Sequence, residues 1–389
     1  MKMKILISAF TYWPAVDGVQ NVTQYQAEGL AARGHDVTVL TGFLPDKDVP
    51  EEENHNGVHI RRFHAYTDTM IHHGDKAAYQ TLLAEYAAKV DVIMTVCPES
   101  WCTDWAIPLA GQLDCAMVMM THGIHDFRWS TFKDKSAYGL ARKVWGDLRW
   151  PPLFARNWEH IRRYEAVIQL HEKDFATQYF ERHGVKDQKV LYNAVDDAFF
   201  ADDVKKEKQI INVGTYCKRK DQIKALEAFY VAQLPEYRLV LIGSAANDYY
   251  KLLKKRKAEL EQTYGQRDVE ILAAIPREET IRLVKQSQVY LLTSISEMFP
   301  VSLIEGMAAG CSWVSTDVGI DCYLPGGKIA DTPQEIAAAL RYVTAEENYA
   351  GLATASRDFA KANCSKQTQV DKLENILAEA VEHRKRGKA

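Results

Sequence analysis

The sequence predicts an α/β protein made of two Rossmann-like domains. Three observations support this fold class: the chain has 389 residues, 47% of them are hydrophobic, and short apolar runs alternate with longer amphipathic ones. Globular domains usually contain roughly 100 to 200 residues, so the length favours two of them. Strand-length apolar runs separated by helical patterns are typical of βα units around a parallel sheet that is buried on both faces.

The predicted strands form two groups. The first group is Ile5–Ser8, Val37–Thr41, His59–Phe63, Val92–Val96, Ala116–Thr121 and Ala166–Leu170, and the second is Ile210–Val213, Arg238–Ile242, Val269–Leu272, Val289–Leu292 and Ser312–Ser315. Helical patterns separate them at Val19–Arg33, Asp75–Lys89, Thr103–Gln112, Gln222–Gln233, Asp248–Tyr264, Glu278–Gln286 and Val301–Ala309.

Strand periodicity stops at Tyr192–Phe200 and restarts only after the charged segment Ala201–Lys208. We therefore expect a hinge there, with residues 1–200 as one domain and residues 201–364 as the other. Residues 365–386 are predicted to form a helix that packs back on the first domain. Ligands of open α/β sheets bind outside the carboxyl ends of the strands, so two such domains would face each other across one cleft.

Composition excludes several classes of protein. The net charge of −4, from 48 basic and 52 acidic side chains, provides no overall attraction for nucleic acid or anionic lipid. Seven cysteines without CxxC spacing indicate a reducing compartment rather than disulfides or a zinc site. No apolar run approaches about 18 residues, and Met1–Phe10 fits a buried strand better than a signal peptide. We expect a cytoplasmic protein.

Two carboxylates eight residues apart follow the predicted strand Val289–Leu292. Pro300 suits the first turn of a helix, which places Glu297 in the preceding loop and Glu305 on the helix. A helical rise of about 1.5 Å per residue separates them by roughly 12 Å, the span of a sugar with its pyrophosphate and ribose. The helix start offers free N–H groups to phosphate. An ordinary amphipathic helix with a solvated glutamate is the alternative.

This segment resembles the donor-site signature of retaining GT-B glycosyltransferases of family 4, glycosyl transferases group 1, which reads approximately S-E-G-F-G-x-x-x-x-E-A-M-A-x-G. The matching residues are Ser296, Glu297, Phe299, Glu305, Met307, Ala308 and Gly310. The resemblance implies a GT-B fold in which Glu297 contacts hydroxyls of the donor sugar and Glu305 the ribose diol. Met298, Pro300 and Gly306 depart from it, and Met298, Phe299 or Val301 would supply the phosphate contact that Pro300 lacks.

A strand ending in Gly214 precedes three cations, Lys218, Arg219 and Lys220. Cations beside a helix start suit a diphosphate whose charge grows as a glycosidic bond breaks, although a solvated basic turn has the same pattern. The family reads G-R-x-x-x-x-K-G here, so the resemblance implies a catalytic Lys220. Thr215 replaces the family's arginine, and Lys218 or Arg219 would have to compensate. Backbone groups near Ala274 would contact the base.

The resemblance extends to the first domain, and it implies that residues 1–200 form the acceptor-side domain and residues 201–364 the nucleotide-sugar donor domain. The loop Phe10–Asn21 is similar to the family's P-x-x-G-G-x-x loop, with Gly18 for one glycine and Asp17 for the other, although a plain turn has the same composition. His122 occupies the place of a family histidine that reaches the donor sugar. His125 and Asp126 are candidate acceptor-side groups. A metal site is disfavoured because no third ligand recurs at suitable spacing.

One basic stretch is not explained by the donor site. Between Arg128 and Arg163 there are nine basic and three acidic side chains, a net charge of +6, and four tryptophans. The basic residues are Arg128, Lys133, Lys135, Arg142, Lys143, Arg149, Arg156, Arg162 and Arg163. The acidic residues are Asp134, Asp147 and Glu159, and the tryptophans are Trp129, Trp145, Trp150 and Trp158. Such a stretch can dock on an anionic membrane or bind a phosphate-bearing acceptor. Tryptophans that pack helices on the sheet are the alternative. No nucleic-acid motif accompanies it.

Together with these patterns, the resemblance implies a metal-independent enzyme without a cofactor that transfers a sugar from a UDP- or GDP-sugar to a glycan or lipid-linked acceptor. The resemblance implies retention of anomeric configuration and a role in bacterial cell-surface polysaccharide or glycoconjugate synthesis. The basic stretch would bring the protein to the inner face of the cell membrane. Two alternatives stay open: a GT-B nucleotide-sugar 2-epimerase, and a catalytically silent GT-B subunit that assists a partner, which the departures at Thr215, Asp17 and Met298 allow.

Overall fold

A computed structural model of the chain describes residues 2–15, 17–44, 47–130, 132 and 136–387. The chain divides into two compact units, Met1–Asn193 with Lys366–Ala389, and Ala194–Ser365. The division therefore falls at residue 193 rather than near residue 200. Residues after Asn193 join the second unit because Val195 pairs with Ser365 and because Phe199 is buried beneath the guanidinium of Arg277.

The first unit has the following elements in chain order: β1 (Lys4–Ala9), α1 (Gly18–Ala32), β2 (Asp36–Gly42), β3 (Glu52–His55), β4 (Val58–Phe63), β5 (Ala65–Asp68), β6 (Ile71–Gly74), α2 (Lys76–Ala87), β7 (Val92–Val96), α3 (Trp101–Asp104), β8 (Ala116–Met120), α4 (Ala137–Ile161), β9 (Ala166–Gln169), α5 (Phe175–Arg182) and β10 (Gln188–Val190). Within the described ranges, eight strands form one sheet in the order β10-β9-β8-β7-β1-β2-β4-β3, parallel except for the β3–β4 pair. Strands β5 and β6 form a separate hairpin.

The second unit contains β11 (Glu207–Val213), α6 (Gln222–Ala232), β12 (Arg238–Gly243), α7 (Asp248–Tyr264), β13 (Val269–Ala273), α8 (Arg277–Gln286), β14 (Ser287–Leu292), α9 (Val301–Ala308), β15 (Ser312–Ser315), β16 (Gly327–Ile329), α10 (Pro333–Thr344) and α11 (Glu346–Asn363). Its described strands form a parallel sheet in the order β13-β12-β11-β14-β15-β16. The central strands are buried on both faces, which explains their continuous apolar sequences.

The last helix, α12 (Lys366–Arg386), belongs to the first unit. Its apolar side chains Val370, Leu373 and Leu377 join the core that covers one face of the first sheet. Arg33 at the end of α1 donates to the carboxylate of Glu374 at 2.8 Å. Packing is close, since a Cβ on Gly29 would lie 2.7 Å from the side chain of Val370.

The helix predicted at Thr103–Gln112 is wrong. The structure has instead the short helix α3 followed by a 3-10 turn at Ile107–Leu109. Pro108 has no N–H to continue an α-helical ladder. In addition, the carboxylate of Asp104 accepts the backbone N–H of Glu99 at 2.9 Å, and its other oxygen is 2.7 Å from a ring nitrogen of His72, so α3 is tied to its neighbours rather than extended.

Helix α4 runs through most of the basic stretch, of which Lys133, Asp134 and Lys135 lie outside the described residues. Trp150 is buried and Trp158 is half-buried against the sheet, as the packing alternative predicts. Trp129 and Trp145 are exposed, so packing accounts for only part of the stretch. No helix among the described residues is long and apolar enough to cross a membrane.

Candidate functional site

The sheet of the second unit has a switch point between β11 and β14, where the chain order reverses. Strand β11 is followed along the chain by its neighbour β12 on one side, whereas β14 lies on the other. The loops that leave the carboxyl ends of β11 and β14 therefore diverge around a crevice, the usual ligand position in open α/β sheets. These two loops carry the cation cluster and Glu297.

The structure brings Lys220 and Glu297 together in this crevice. The ammonium of Lys220 lies 2.5 Å from one carboxylate oxygen of Glu297, and Arg219 lies 3.4 Å from the other. Lys220 and Glu297 are both largely buried, whereas Arg219 is exposed and also donates to the carbonyl of Ser296 at 3.1 Å. The site thus holds a fixed cation and a fixed carboxylate 77 positions apart in the chain.

Backbone contacts hold these two loops in register. The N–H of Ile295 donates to the carbonyl of Arg219 at 2.7 Å, and the hydroxyl of Thr293 donates to the carbonyl of Asp221 at 2.9 Å. Gly319 has a φ of 56°, and a Cβ there would lie 2.6 Å from the carbonyl oxygen of Met298. The position of Glu297 is therefore set by backbone packing and does not depend on Lys220 alone.

Asp321 is a buried carboxyl near this pair that the sequence reasoning missed. The hydroxyl of Ser315 donates to one of its oxygens at 2.5 Å, and the other oxygen has no hydrogen-bond partner among the described residues. Burial, with a smaller contribution from the nearby charge of Glu297, raises the pKa of Asp321 well above its usual range. Only its place six residues after the strand-end Ser315 could have indicated it.

Glu305 lies on the second turn of α9 and is buried. A nitrogen of Arg277, the first residue of α8, donates to its carboxylate at 2.5 Å, and the Arg277 guanidinium lies over the ring of Phe199 at 5.1 Å. Burial raises the pKa of Glu305, and Arg277 partly offsets that effect. The sequence reasoning missed Arg277 because it follows a different strand, although an arginine at a helix start is a recognisable candidate.

The start of α9 fits an anion site in backbone terms. Pro300 occupies the N-cap position, and no side chain caps the helix. The N–H groups of the first turn therefore point out of the amino end of the helix. Phe299 and Pro300 are buried, Met298 is exposed, and Val301 is half-buried. The predicted phosphate contact therefore has the N–H groups of Val301 and Ser302 available to it, because that of Leu303 already donates to the carbonyl of Pro300 at 2.9 Å.

The positions Gly214 and Thr215 lie in an adjoining turn. The amide of Gln222 donates to the carbonyl of Gly214 at 3.3 Å and to that of Thr215 at 3.1 Å, while the Thr215 side chain is exposed. An arginine at position 215 would therefore have had room, so packing does not explain why threonine stands there. Ala274 has a φ of 55°, and its N–H donates to the carbonyl of Gly243 at 3.0 Å.

Gly306, where the family signature has alanine, is explained by Tyr290. A Cβ on Gly306 would lie 2.5 Å from the Tyr290 ring, which cannot move easily because its hydroxyl bonds the backbone of Val213. We expect Gly306→Ala to lower the free energy of unfolding by about 1 to 3 kcal/mol, measured by urea titration. Gly351→Ala is the matched control, since its Cβ would meet nothing within 4 Å inside α11 and should be neutral or stabilising. Equal effects of the two changes would contradict this explanation.

In the first unit, the loop after β1 places Asp17 as the N-cap of α1. Its carboxylate accepts the N–H of Gln20 at 2.8 Å and the hydroxyl of Thr11 at 2.9 Å. Gly18 begins the helix beside open space, because no atom would lie within 4 Å of a Cβ at this position. The geometry gives Asp17 a capping role, and it leaves room beside Gly18 for a ligand or for a larger residue.

His122 follows the carboxyl end of β8 in a left-handed conformation, with a φ of 51°. Its Nε2 is buried and has no hydrogen-bond partner among the described residues. Burial lowers the pKa of His122 to about 4, so the imidazole is neutral at physiological pH. A neutral imidazole with an unsatisfied nitrogen can form a hydrogen bond to a hydroxyl, and the contact with the donor sugar that the resemblance implies stays a prediction.

His125 and Asp126 are already engaged in the first unit. A ring nitrogen of His125 lies 2.9 Å from the carboxylate of Asp147, which also accepts from Lys143 at 2.5 Å. Burial lowers the pKa of His125 despite Asp147. Asp126 accepts two bonds from the guanidinium of Arg128, each at 2.9 Å. Both residues can orient neighbouring groups. Each would have to give up its present partner before it could bind an acceptor.

Glu99 is a further candidate that the sequence reasoning missed. It follows the carboxyl end of β7, the strand beside β8, and has a φ of 70°. Its carboxylate accepts the backbone N–H of His125 at 2.8 Å. Burial raises the pKa of Glu99 to about 8, so its carboxyl is mostly protonated at neutral pH and can donate a hydrogen bond. The sequence could have indicated Glu99, because it lies three residues after the buried strand β7, where ligand-binding residues of parallel sheets occur.

No set of three His, Cys, Asp or Glu side chains in the described ranges is arranged to hold a metal ion. In the second unit, the cation, the carboxylates and the helix start suit an anionic, hydroxyl-bearing ligand. In the first unit, the neutral histidine and the protonated carboxyl suit hydrogen bonds to hydroxyl groups.

Comparisons with known proteins agree with the observed fold. Residues 196–324 match the family model of glycosyl transferases group 1, and residues 17–194 match that of the glycosyl transferase 4-like domain. A Xenopus laevis protein described as a GDP-Man:Man(3)GlcNAc(2)-PP-Dol alpha-1,2-mannosyltransferase is 28% identical over 152 residues. That match covers 35% of this chain and only 31% of the relative.

Solved structures match over nearly the whole chain. Sucrose-phosphate synthase from Thermosynechococcus elongatus has a TM-score of 0.67 and 16% identity, with coverage of 98% of this chain and 100% of that one. Anabaena HepE in complex with UDP and glucose has a TM-score of 0.62 and 18% identity, with coverage of 97% and 99%. The predicted α/β class and GT-B fold are confirmed.

Proposed function

Because this chain belongs to the GT-B glycosyltransferases of the family 4 type, which act with nucleotide sugars, we propose that it transfers a sugar from a UDP- or GDP-sugar to a glycan or lipid-linked acceptor with retention of anomeric configuration. The observation that carries this proposal is the pairing of Lys220 with Glu297 at the switch point of the second sheet. A cation and a carboxylate held side by side match a donor whose diphosphate is anionic and whose sugar presents hydroxyls.

In this proposal, each group of the site binds a different part of the donor. Lys220, assisted by Arg219, neutralises the diphosphate, and the N–H groups at the start of α9 bind its distal phosphate. Glu297 accepts hydroxyls of the sugar once Lys220 turns to the phosphate. Glu305 accepts the ribose diol, and the backbone near Ala274 contacts the base. Donor binding therefore replaces ion pairs within the protein by contacts to the ligand.

The transfer step needs no nucleophile from the protein. The bond between the anomeric carbon and the leaving phosphate oxygen breaks, and a bond to the acceptor oxygen forms on the same face of the sugar. The acceptor hydroxyl gives its proton to the departing phosphate, so charge and atoms balance. Lys220 and Arg219 stabilise the charge on the nucleoside diphosphate, for which reason we propose that no metal and no cofactor is required. Chelation of divalent ions should then leave the transfer rate unchanged.

The acceptor and the location follow from the same proposal. The mannosyltransferase that this chain resembles in part is named for GDP-mannose and a dolichol-linked glycan, which favours GDP-mannose and a lipid-linked acceptor among the first compounds to test. We place the reaction in bacterial cell-surface polysaccharide or glycoconjugate synthesis, in the cytoplasm at the inner face of the membrane. The basic stretch at residues 128–163 would provide the peripheral contact.

A thermal-shift panel of UDP-, GDP- and ADP-sugars tests donor binding. One nucleotide series should raise the unfolding temperature, because a ligand at about 100 times its Kd stabilises the folded state by roughly 2.7 kcal/mol. Glu305→Ala should abolish that shift, whereas Glu279→Ala, a change at an exposed glutamate of α8, should not. No shift with any nucleotide sugar would indicate a silent subunit, and conversion of the donor to its epimer without acceptor would indicate a 2-epimerase.

A further inference from the structure

Helix α4 has a second apolar face that points to solvent. Its inner face buries Gly139, Lys143, Gly146, Trp150 and Phe154 against the first unit. On the opposite side, a stripe at helical spacing comprises Tyr138, Ala141, Val144, Trp145, Leu148 and Pro152, all of them exposed or half-exposed. Tyr138 is 76% exposed, Leu148 65%, Trp145 44% and Val144 42%. Exposed apolar residues normally occur singly, so a continuous stripe requires an explanation.

A row of arginines borders this stripe. Arg142, Arg149 and Arg156 are spaced by seven residues, which keeps them on one flank of the helix over two intervals. Arg142 and Arg156 are exposed, while the guanidinium of Arg149 lies over Trp150 and donates to the carbonyl of Met70 at 3.2 Å. From residue 137 to residue 158 the helix has one acidic side chain, Asp147, which is paired with Lys143 and His125.

The tip of the β5–β6 hairpin extends the same surface. Thr69 and Met70 form its turn with φ angles of 45° and 64°. The indole N–H of Trp145 donates to the carbonyl of Thr69 at 3.3 Å, which fixes the ring while its face stays exposed. Ile71 beside the turn is 47% exposed. An immobilised tryptophan beside aliphatic side chains resembles the interfacial anchors of membrane proteins.

We infer that the outer face of α4, with the tip of this hairpin, docks on an anionic lipid surface. Apolar and aromatic side chains enter the boundary between headgroups and acyl chains, and Arg142 and Arg156 reach the phosphates from the flank. The inference rests on the proposed function in one respect, since a lipid-linked acceptor would be found in the same surface. It assigns the contact to one helix face rather than to the whole basic stretch.

Charge favours a lipid surface over a second copy of the chain. The chain as a whole carries −4, whereas the exposed part of this face is cationic and apolar, which is complementary to anionic headgroups. In an antiparallel two-fold pair of these faces, the two arginine rows would lie on the same side and repel each other. The face is also a convex helix surface, which suits a fluid bilayer better than a groove-filling partner.

Cosedimentation of the full chain with vesicles tests this inference. The unaltered protein should bind vesicles of phosphatidylcholine with phosphatidylglycerol, bind phosphatidylcholine alone much more weakly, and lose affinity as salt is added. Val144→Ser with Leu148→Ser should lower the partition constant about tenfold or more on anionic vesicles. Arg142→Gln with Arg156→Gln should lower it about 30-fold on anionic vesicles and have little effect on neutral ones.

Matched controls lie on α7. Leu252→Ser removes a leucine that is 47% exposed, between Val144 and Leu148 in exposure. Lys254→Gln with Lys255→Gln removes two exposed cations, and neither change should alter binding. All variants should keep the unfolding temperature and the donor-induced shift, so a failure of donor binding and a failure of lipid binding are separable. The inference is overturned if the unaltered chain ignores anionic vesicles, if the α4 variants bind as well as it does, or if they convert a dimer to a monomer without affecting vesicles.

Discussion

Alanine at Lys220 or at Glu297 should each reduce kcat/KM for sugar transfer by about a hundredfold to a thousandfold in a protein that remains folded. Lys220 is placed to neutralise charge that grows on the leaving diphosphate, and loss of one preorganised electrostatic group costs rates of this order. Glu297 is placed to hold the sugar, so its loss also misplaces the anomeric carbon. Steady-state kinetics with the donor identified by thermal shift, and any acceptor that supports turnover, provide the measurement.

The pair also predicts how the two variants combine. In the free protein the two side chains pair at 2.5 Å, but in the donor complex Lys220 binds the diphosphate and Glu297 the sugar, so their losses should at least add and the double variant should be much slower than either single variant. Lys255→Ala, at an exposed lysine of α7, is the control and should have full activity. Purified single variants that retain most of the activity, with unchanged unfolding temperatures, would show that the donor site lies elsewhere.

The sequence was sufficient to predict where the second-unit site forms. Gly214 and Glu297 both follow buried strands, and parallel strands bring their carboxyl ends to one edge of a sheet. What it did not show was which strands are neighbours. Because β11 pairs with β14, Lys220 meets Glu297, and because α8 follows the edge strand β13, Arg277 meets Glu305. These contacts depend on sheet order, which apolar periodicity does not encode.

Other structural features could not be predicted from the sequence, because the same residue types occur in more than one structural setting. Large apolar side chains lie on both faces of α4, Trp150 and Phe154 on the packed face and Val144 and Leu148 on the exposed one, so its pattern does not distinguish the two faces. The helix expected at Thr103–Gln112 had suitable periodicity, but Pro108 and the contacts of Asp104 interrupt it. Left-handed backbone at Glu99 and His122 is not readable from the sequence, because neither residue type requires it.

Glu99 should make the first unit less stable as the pH rises. Its pKa is about 8 in the folded protein against an ordinary value of 4.5, and burial is the main cause. Between these values the unfolded chain releases the proton while the folded chain keeps it, so the unfolded state binds fewer protons and the free energy of unfolding falls with pH. At about 1.4 kcal/mol per pH unit the loss approaches roughly 4 to 5 kcal/mol and levels off above pH 8.

Glu99→Gln isolates this contribution. The amide keeps an oxygen to accept the N–H of His125 and does not titrate, so urea titrations should find the variant about as stable as the unaltered protein near pH 4.5 and several kcal/mol more stable at pH 8. Asp104, Cys97 and His125 lie close by and remain in both proteins, so the difference contains Glu99 itself and its interactions with them. Glu85→Gln, at an exposed position of α2, should leave the pH dependence unchanged. Parallel stability curves for Glu99→Gln and the unaltered protein would mean that Glu99 is ionised in the folded state, and a protonated carboxyl could then no longer be invoked after β7 in the first unit.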